Sequence, residues 1–263
     1  MSLRTTTDHA VIAAQLDVRL SNDPVRATVL GTVRHSLSAG AWCAWTPDGR
    51  ALAVRSDTPY PVLLDGPWSA GGPELAAQLR TLPDLAGVTG PVAQVTVLLP
   101  ELPPVLESTS LRLYRLSTLV TATGVAGFPR RAGVEDQEML ERWVAAFHAE
   151  AGGHGEPPRR AVEQAIIRGG AWLWCDPPGT PVSTAWRRAV VAGSARIGPV
   201  YTPAEHRGHG YGSAVTAAAT QDILDDDAVP VLFTDLANPT SNHIYQALGY
   251  VPVEDRVEVR LAG

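Results

Sequence analysis

Val200-Tyr201-Thr202-Pro203-Ala204-Glu205-His206-Arg207-Gly208-His209-Gly210-Tyr211-Gly212-Ser213 reads as a strand end, a glycine-rich turn and a helix start. Glycines alternate at 208, 210 and 212, Arg207 stands before them, and a long helical run follows. Such a turn makes an anion socket. Glycine permits close approach of the backbone, and the first N–H groups of a helix have no partner within it. Two anion-binding folds use turns of this kind, and the surrounding residues choose between them.

The chain has 263 residues, enough for one large domain or two small ones with a sizeable core. Hydrophobic residues make up 45% and charged residues 18%, ordinary values for a globular protein. The net charge of −6 counts against a general nucleic-acid binder, which needs a basic face. The arginine pairs at 130–131, 159–160 and 187–188 read as solvated surface. Cys43 and Cys175 lie far apart, with neither a disulfide framework nor a metal spacing. No apolar run is long enough to cross a bilayer, and the first residues lack a signal-peptide core. The expectation is a cytoplasmic protein that uses no metal, no membrane and no nucleic acid.

Patterning along the chain predicts an α/β protein. Val25, Val29, Val33 and Leu37 predict a helix over Pro24–Ser38, with Asp23 as N-cap. Short strand-like runs follow at Ala41–Trp45, Ala51–Ser56 and Tyr60–Leu64, then a helix at Pro73–Leu82. Pro91–Leu99 reads as helix or strand, and Leu111–Val120 as a strand. The Gly-, Ala- and Pro-rich stretch Thr121–Gly133 reads as a linker, dividing the chain into domains at 1–125 and 126–263. Beyond it come a short strand at Arg130–Ala132, helices from Val134 and at Arg159–Arg168, and strands at Ala171–Cys175, Pro181–Val190 and Ser194–Thr202. A helix at Tyr211–Leu224, a strand at Val229–Asp235, a helix opened by Asn238-Pro239 and ended by Gly249, and a strand at Val251–Leu261 complete the pattern.

A dinucleotide-binding fold would also place a strand, a glycine turn, a helix and a strand in this order, with Asp235 as the ribose-binding acid. Three features count against it. Ser213 stands where the third fingerprint glycine belongs, Thr202–Arg207 separates strand from glycines, and only about fifty residues follow. Arg207-x-x-Gly210-x-Gly212 instead resembles the Arg/Gln-x-x-Gly-x-Gly/Ala signature of the GNAT superfamily of N-acetyltransferases. A second block, Asn238 to Tyr250, resembles that family's closing pattern: Asn238, small Ser241 three residues on, Tyr245 at seven, then Gly249-Tyr250. The resemblance covers about residues 130–261.

The resemblance implies a GNAT acyl-CoA N-acyltransferase fold in the C-terminal domain, preceded by a smaller α/β domain that is itself GNAT-like and degenerate. Acetyl-CoA would be the cosubstrate. Main-chain groups of Val200, Tyr201 and Thr202 would pair with its pantetheine arm. Its pyrophosphate would rest on Arg207, Gly208, His209, Gly210, Tyr211, Gly212 and Ser213. Asn238 is both a natural N-cap and a cofactor contact by resemblance, and Ser241 would face the cofactor. Tyr245 would be the catalytic residue, donating a hydrogen bond or proton to the departing sulfur.

Many relatives carry a glutamate on the strand before the glycine turn; here that strand has no carboxylate. Either a water chain suffices or the base comes from elsewhere; His148, Glu150, His154 and Glu156 are candidates, clustered in the loop His148–Pro158 that by resemblance would cover the acceptor site. With no convincing cysteine nucleophile, the expected reaction is direct transfer to the amine of a small molecule or amino acid, by a monomer or homodimer. The competing readings are a CoA-binding regulatory protein without transfer activity and a protein-modifying acetyltransferase.

Overall fold

The computed structural model describes residues 2–23, 25–26, 28–121, 123–151 and 158–262, apart from the side chains of 22, 151 and 158. Among them the chain forms twelve strands and eight α-helices, and the same element order occurs twice. The first run is β1 (Arg4–Thr6), α1 (His9–Asn22), α2 (Thr28–His35), β2 (Trp42–Trp45), β3 (Leu52–Arg55), β4 (Val62–Asp65), α3 (Gly72–Leu79), β5 (Gly87–Pro91), α4 (Val92–Leu98) and β6 (Val105–Leu116). The second is β7 (Phe128–Arg131), α5 (Gln137–Ala151), α6 (Pro158–Ile167), β8 (Ala171–Cys175), β9 (Pro181–Arg187), β10 (Ser194–Tyr201), α7 (Tyr211–Leu224), β11 (Val229–Asp235), α8 (Pro239–Ala247) and β12 (Tyr250–Leu261). The α/β fold class expected from the patterning is the one observed.

The chain divides into two compact units that are not the contiguous halves 1–125 and 126–263. One takes Met1–Leu113 together with Thr234–Asn238 and Pro252–Gly263; the other takes Tyr114–Phe233 and Pro239–Val251. The division falls inside β6, β11 and β12, where no linker composition marks it.

In the first unit the strands run in the order β1-β2-β3-β4-β5-β12. Neighbours are antiparallel except β4 and β5, which are parallel through Val62↔Val88 and Leu63↔Thr89. Trp68, Leu75, Leu79, Val95 and Leu98 pack with Val88, Val257 and Val259 in its core. Helix α1 is absent from the sequence reading, yet it has a clear local cause. Asp8 caps it, its carboxylate accepting from Ala10 N and Val11 N at 2.8 and 3.2 Å, and Ile12, Leu16 and Leu20 bury one face.

The helix expected at Pro24–Ser38 is the shorter α2, and Asp23 is the C-cap of α1 rather than an N-cap. Thr28, Leu30 and Gly31 are the buried residues of α2, not the valine stripe that pointed to a helix. Pro24, the first residue of that expected helix, lies outside the described residues.

The ambiguous Pro91–Leu99 segment resolves to helix, and the strand precedes it. In β5, Gly-Val-Thr-Gly-Pro, a Cβ at Gly87 would stand 2.0 Å from Val259 O and one at Gly90 2.8 Å from Leu64 Cβ. Glycine is needed there for close packing, and this run, unassigned from the sequence, is a central strand.

In the second unit the order β11-β10-β9-β8-β7 is antiparallel except for β10 and β11. Helices α5 and α6 cover β8 through Leu140, Val144 and Val162, which pack with Leu173 and Trp186. Helix α7 buries Val215, Ala219 and Ile223 against Ile197 and Leu232.

Candidate active site

The parallel ladder between β10 and β11 runs from Ser194↔Val229 to Ile197↔Leu232 and stops, while β10 continues to Tyr201. On its other side the register with β9 slips between Ile197 and Val200, from Ile197↔Arg187 to Val200↔Ala185. Three steps along β10 thus match two along β9, a bulge that re-aims the strand end. Beyond the bulge, Val200 and Tyr201 keep β9 on one edge and no ladder with β11 on the other. A free strand edge of this kind can take an extended amide chain as an added strand.

Ser183 fixes that strand end. Its hydroxyl donates to Tyr201 O at 3.1 Å and lies 2.8 Å from Thr202 Oγ1. The sequence reading missed this residue; a serine inside a strand carries no signal until its cross-strand partner is known. The Val200 side chain packs partly against the apolar core.

After Tyr201 a short turn at Ala204–His206 leads into the glycines. Gly208 and Gly210 have φ of +82° and +80°, the left-handed region in which a side chain is strained. A Cβ at Gly210 would also stand 2.9 Å from Val125 Cγ2. Gly212 has no positive φ, and a Cβ there would meet only Thr202 Oγ1 at 3.4 Å. Gly210 is the N-cap of α7 and has no side chain with which to cap it. The N–H groups of Tyr211, Gly212 and Ser213 therefore stand at the positive end of a fourteen-residue helix, ready for an anion. His209 is exposed and stacks on Tyr211 with ring centroids 5.4 Å apart.

The Arg207 side chain is held from two directions. Its Nε donates to Thr202 O at 2.9 Å, and its Nη2 lies 2.7 and 3.0 Å from the two carboxylate oxygens of Glu150. Glu150 also accepts from the Tyr201 hydroxyl at 3.2 Å, while Trp143, two turns earlier on α5, packs against the Tyr201 ring. The C-terminal end of α5 is thereby tied to the strand end and the glycine turn.

Of the four base candidates, Glu150 is the one seen in this cluster, where it is already paired with a guanidinium. His148 packs beside Phe147, and loss of solvent holds its imidazole below the usual histidine range. His154 and Glu156 lie outside the described residues.

Tyr245 on α8 is buried against Tyr250, ring centroids 6.2 Å apart, in a cluster that includes Ile197 of β10 and Val215 of α7. Burial pushes its phenol up to about 12. Helix α8 is anchored at both ends of one turn: Tyr114 donates to Asn242 Oδ1 at 2.9 Å and accepts from Gln246 Nε2 at 3.1 Å. Ser241 lies one turn before Tyr245 and is half-buried. Asn238 directly precedes α8 and is exposed, and its backbone N–H donates to Asp235 O. Cys43 and Cys175 are both buried, and burial pushes the Cys43 thiol up to about 12. Among the described residues no three or more His, Cys, Asp and Glu side chains group to hold a metal, and no helix is long and apolar enough to cross a membrane.

Residues 183–259, from β9 into β12, match the family model described as FR47-like protein. Solved structures of similar fold include a GNAT-family acetyltransferase from Colwellia psychrerythraea, with a TM-score of 0.66 and 14% identity over 100% of both chains. A GCN5-related N-acetyltransferase from Kribbella flavida has a TM-score of 0.61 and 19% identity over 96% of both chains. A tandem GNAT protein from the clavulanic acid biosynthesis pathway has a TM-score of 0.57 and 11% identity, over 100% of this chain and 99% of that one. A search of curated proteins found no match.

Proposed function

We propose, for a chain that has the GNAT fold, that it moves an acetyl group from acetyl-coenzyme A directly to the amine of a small molecule. The observation that carries this reading is the uncapped N-terminus of α7 behind two left-handed glycines, beside a strand edge that its parallel neighbour leaves free. The first fits a pyrophosphate and the second an extended pantetheine amide. The place of the tandem GNAT relative in a small-molecule biosynthesis pathway favours a small acceptor over a protein.

Acetyl-CoA supplies the thioester whose acyl carbon the amine attacks: a C–N bond forms as the C–S bond breaks, thiolate leaves, and the proton shed by nitrogen passes to the base or to water. The main chain of Val200–Thr202 aligns the arm, and the amides of Tyr211–Ser213 hold the pyrophosphate. Tyr245 donates a hydrogen bond to the departing sulfur. A thiol has a pKa of about 8.5, well below the phenol at about 12, so complete proton transfer from tyrosine is uphill. Stabilising the thiolate through a hydrogen bond is what the buried phenol can do, and it stays protonated across the working pH range.

Acetyl-CoA at about a hundred times its dissociation constant should stabilise the fold by about 2.7 kcal/mol and raise the melting temperature measurably. The absence of any thermal shift at millimolar acetyl-CoA would sink the reading. Binding without thiol release on any amine would instead favour a CoA-binding protein without transfer activity, the reading kept open by the carboxylate-free β10.

The ion pair of Arg207 and Glu150 has both partners about half exposed, and pairs of that kind contribute about 0.2–1 kcal/mol. Glu150→Gln should therefore leave the melting temperature nearly unchanged. It should tighten acetyl-CoA binding by about two- to fivefold, because the guanidinium is released toward the anion. A fall in kcat of about a hundredfold would show instead that Glu150 is the base.

A further inference from the structure

We propose that the first unit holds a second small-molecule site, for a free amino acid or similar zwitterion, at the carboxyl ends of β4 and β5. The site is independent of the acyl transfer proposed for the second unit. A cavity of about 370 Å³ opens there, within the size range of small-ligand sites. Asp65 is the last residue of β4 and Pro91 the last of β5, and both line it. These are the parallel neighbours of the first unit, and in open α/β sheets the crevice outside the carboxyl ends of such strands is where ligands bind.

The chemistry excludes the anion that the second unit is built to take. Several amides at the start of α3 and in the loop before it are occupied or missing. Trp68 N donates to Gln94 Oε1 at 2.7 Å, Gly71 N donates to Trp68 O, and Pro67 and Pro73 have no N–H. The cavity wall instead carries both signs of charge: Arg19 and Arg26 with Asp23, Asp65 and Glu254.

Two of these groups are poorly compensated, one of each sign. Asp65 meets Arg19 at 3.2 Å, longer than the 2.7–2.9 Å typical of a charge-assisted bond, and other donors of Arg19 are held by the Gly49 and Arg50 carbonyls; the second cation acting on it, Arg256, is itself engaged by Glu254 and the Leu64 carbonyl. Its carboxyl is three-quarters buried, and loss of solvent raises it above the usual carboxylate range. Arg26 approaches Asp23 at 3.5 Å and Glu254 at 3.8 Å, and Glu254 is already taken by Arg256 at 2.8 Å. An ammonium beside Asp65 and a carboxylate beside Arg26 would complete both. A ligand of one charge would leave the other deficient, and a polyphosphate would face three carboxylates.

The test uses the full chain without acetyl-CoA, titrated by calorimetry with the proteinogenic amino acids, and with N-acetylglycine and glycinamide as single-charge analogues. At least one amino acid should bind, with both analogues about tenfold weaker or more. Asp65→Asn and Arg26→Ala should each weaken that binding by about tenfold or more, and Tyr245→Phe should leave it unchanged. Arg26 is half exposed and loosely held, so its replacement gives a folded variant even if Asp65→Asn does not. The proposal is overturned if no amino acid binds, if a single-charge analogue binds equally well, or if binding survives Arg26→Ala.

Discussion

Gly249→Ala should destabilise the second unit by about 2–6 kcal/mol. The residue sits between α8 and β12 with φ of +93°, where a side chain is strained by about 1–3 kcal/mol. Its added Cβ would also stand 1.9 Å from Thr118 O, a backbone atom that cannot rotate aside. Relieving that overlap displaces the chain, at a further cost of about 1–3 kcal/mol. It also pulls on two hydrogen bonds of 3.0 Å, from Ser117 N to Gly249 O and from Val120 N to Leu248 O. Chemical denaturation of Gly249→Ala beside Gly179→Ala separates the two effects. Gly179 has φ of +100° but nothing within 4 Å of an added Cβ, so its replacement reports backbone strain alone. Equal losses in the two variants would show that close approach to Thr118 is not what requires glycine.

Tyr245→Phe should lower kcat by about a hundredfold or more, the usual scale for a lost proton or hydrogen-bond donor at a reacting atom. Affinity for acetyl-CoA and the melting temperature should change little. The ring is what packs on Tyr250, and phenylalanine keeps it. Among the described residues the Tyr245 hydroxyl has no hydrogen-bond partner, so its removal strands no other polar group. Steady-state kinetics with direct measurement of cofactor binding checks the split. Unchanged kcat would reduce Tyr245 to a packing residue, and a loss confined to affinity would make it a cofactor contact only.

The site was legible where chemistry is local. Helix α7 begins at Tyr211 and ends at Leu224 as its pattern predicts, because a glycine turn and an apolar run need no distant partner to declare themselves. Strands β8 and β11 also match their expected bounds. The glycines at 208 and 210 take the left-handed backbone that glycine alone adopts without strain. Less legible were Ser183, whose hydroxyl matters only because Tyr201 and Thr202 arrive beside it, and Glu150, whose partner Arg207 lies on a different element. The first unit was harder throughout. Val95-Thr96-Val97-Leu98 has strand-forming residues yet is helical, since Val95 and Leu98 bury on one face while β5 already fills the strand position.

The sequence alone determined the α/β class and the glycine turn and helix start at Arg207–Ser213, because turn geometry and helix polarity follow from neighbouring residues. Only the tertiary structure decided that Gly87–Pro91 is a strand and that the C-terminal residues Pro252–Gly263 belong to the first unit. It alone placed a doubly charged cavity at the ends of β4 and β5. Each of these depends on pairing between residues far apart in the chain, such as Gly87 with Arg260, and no local pattern encodes which distant strand will supply the partner.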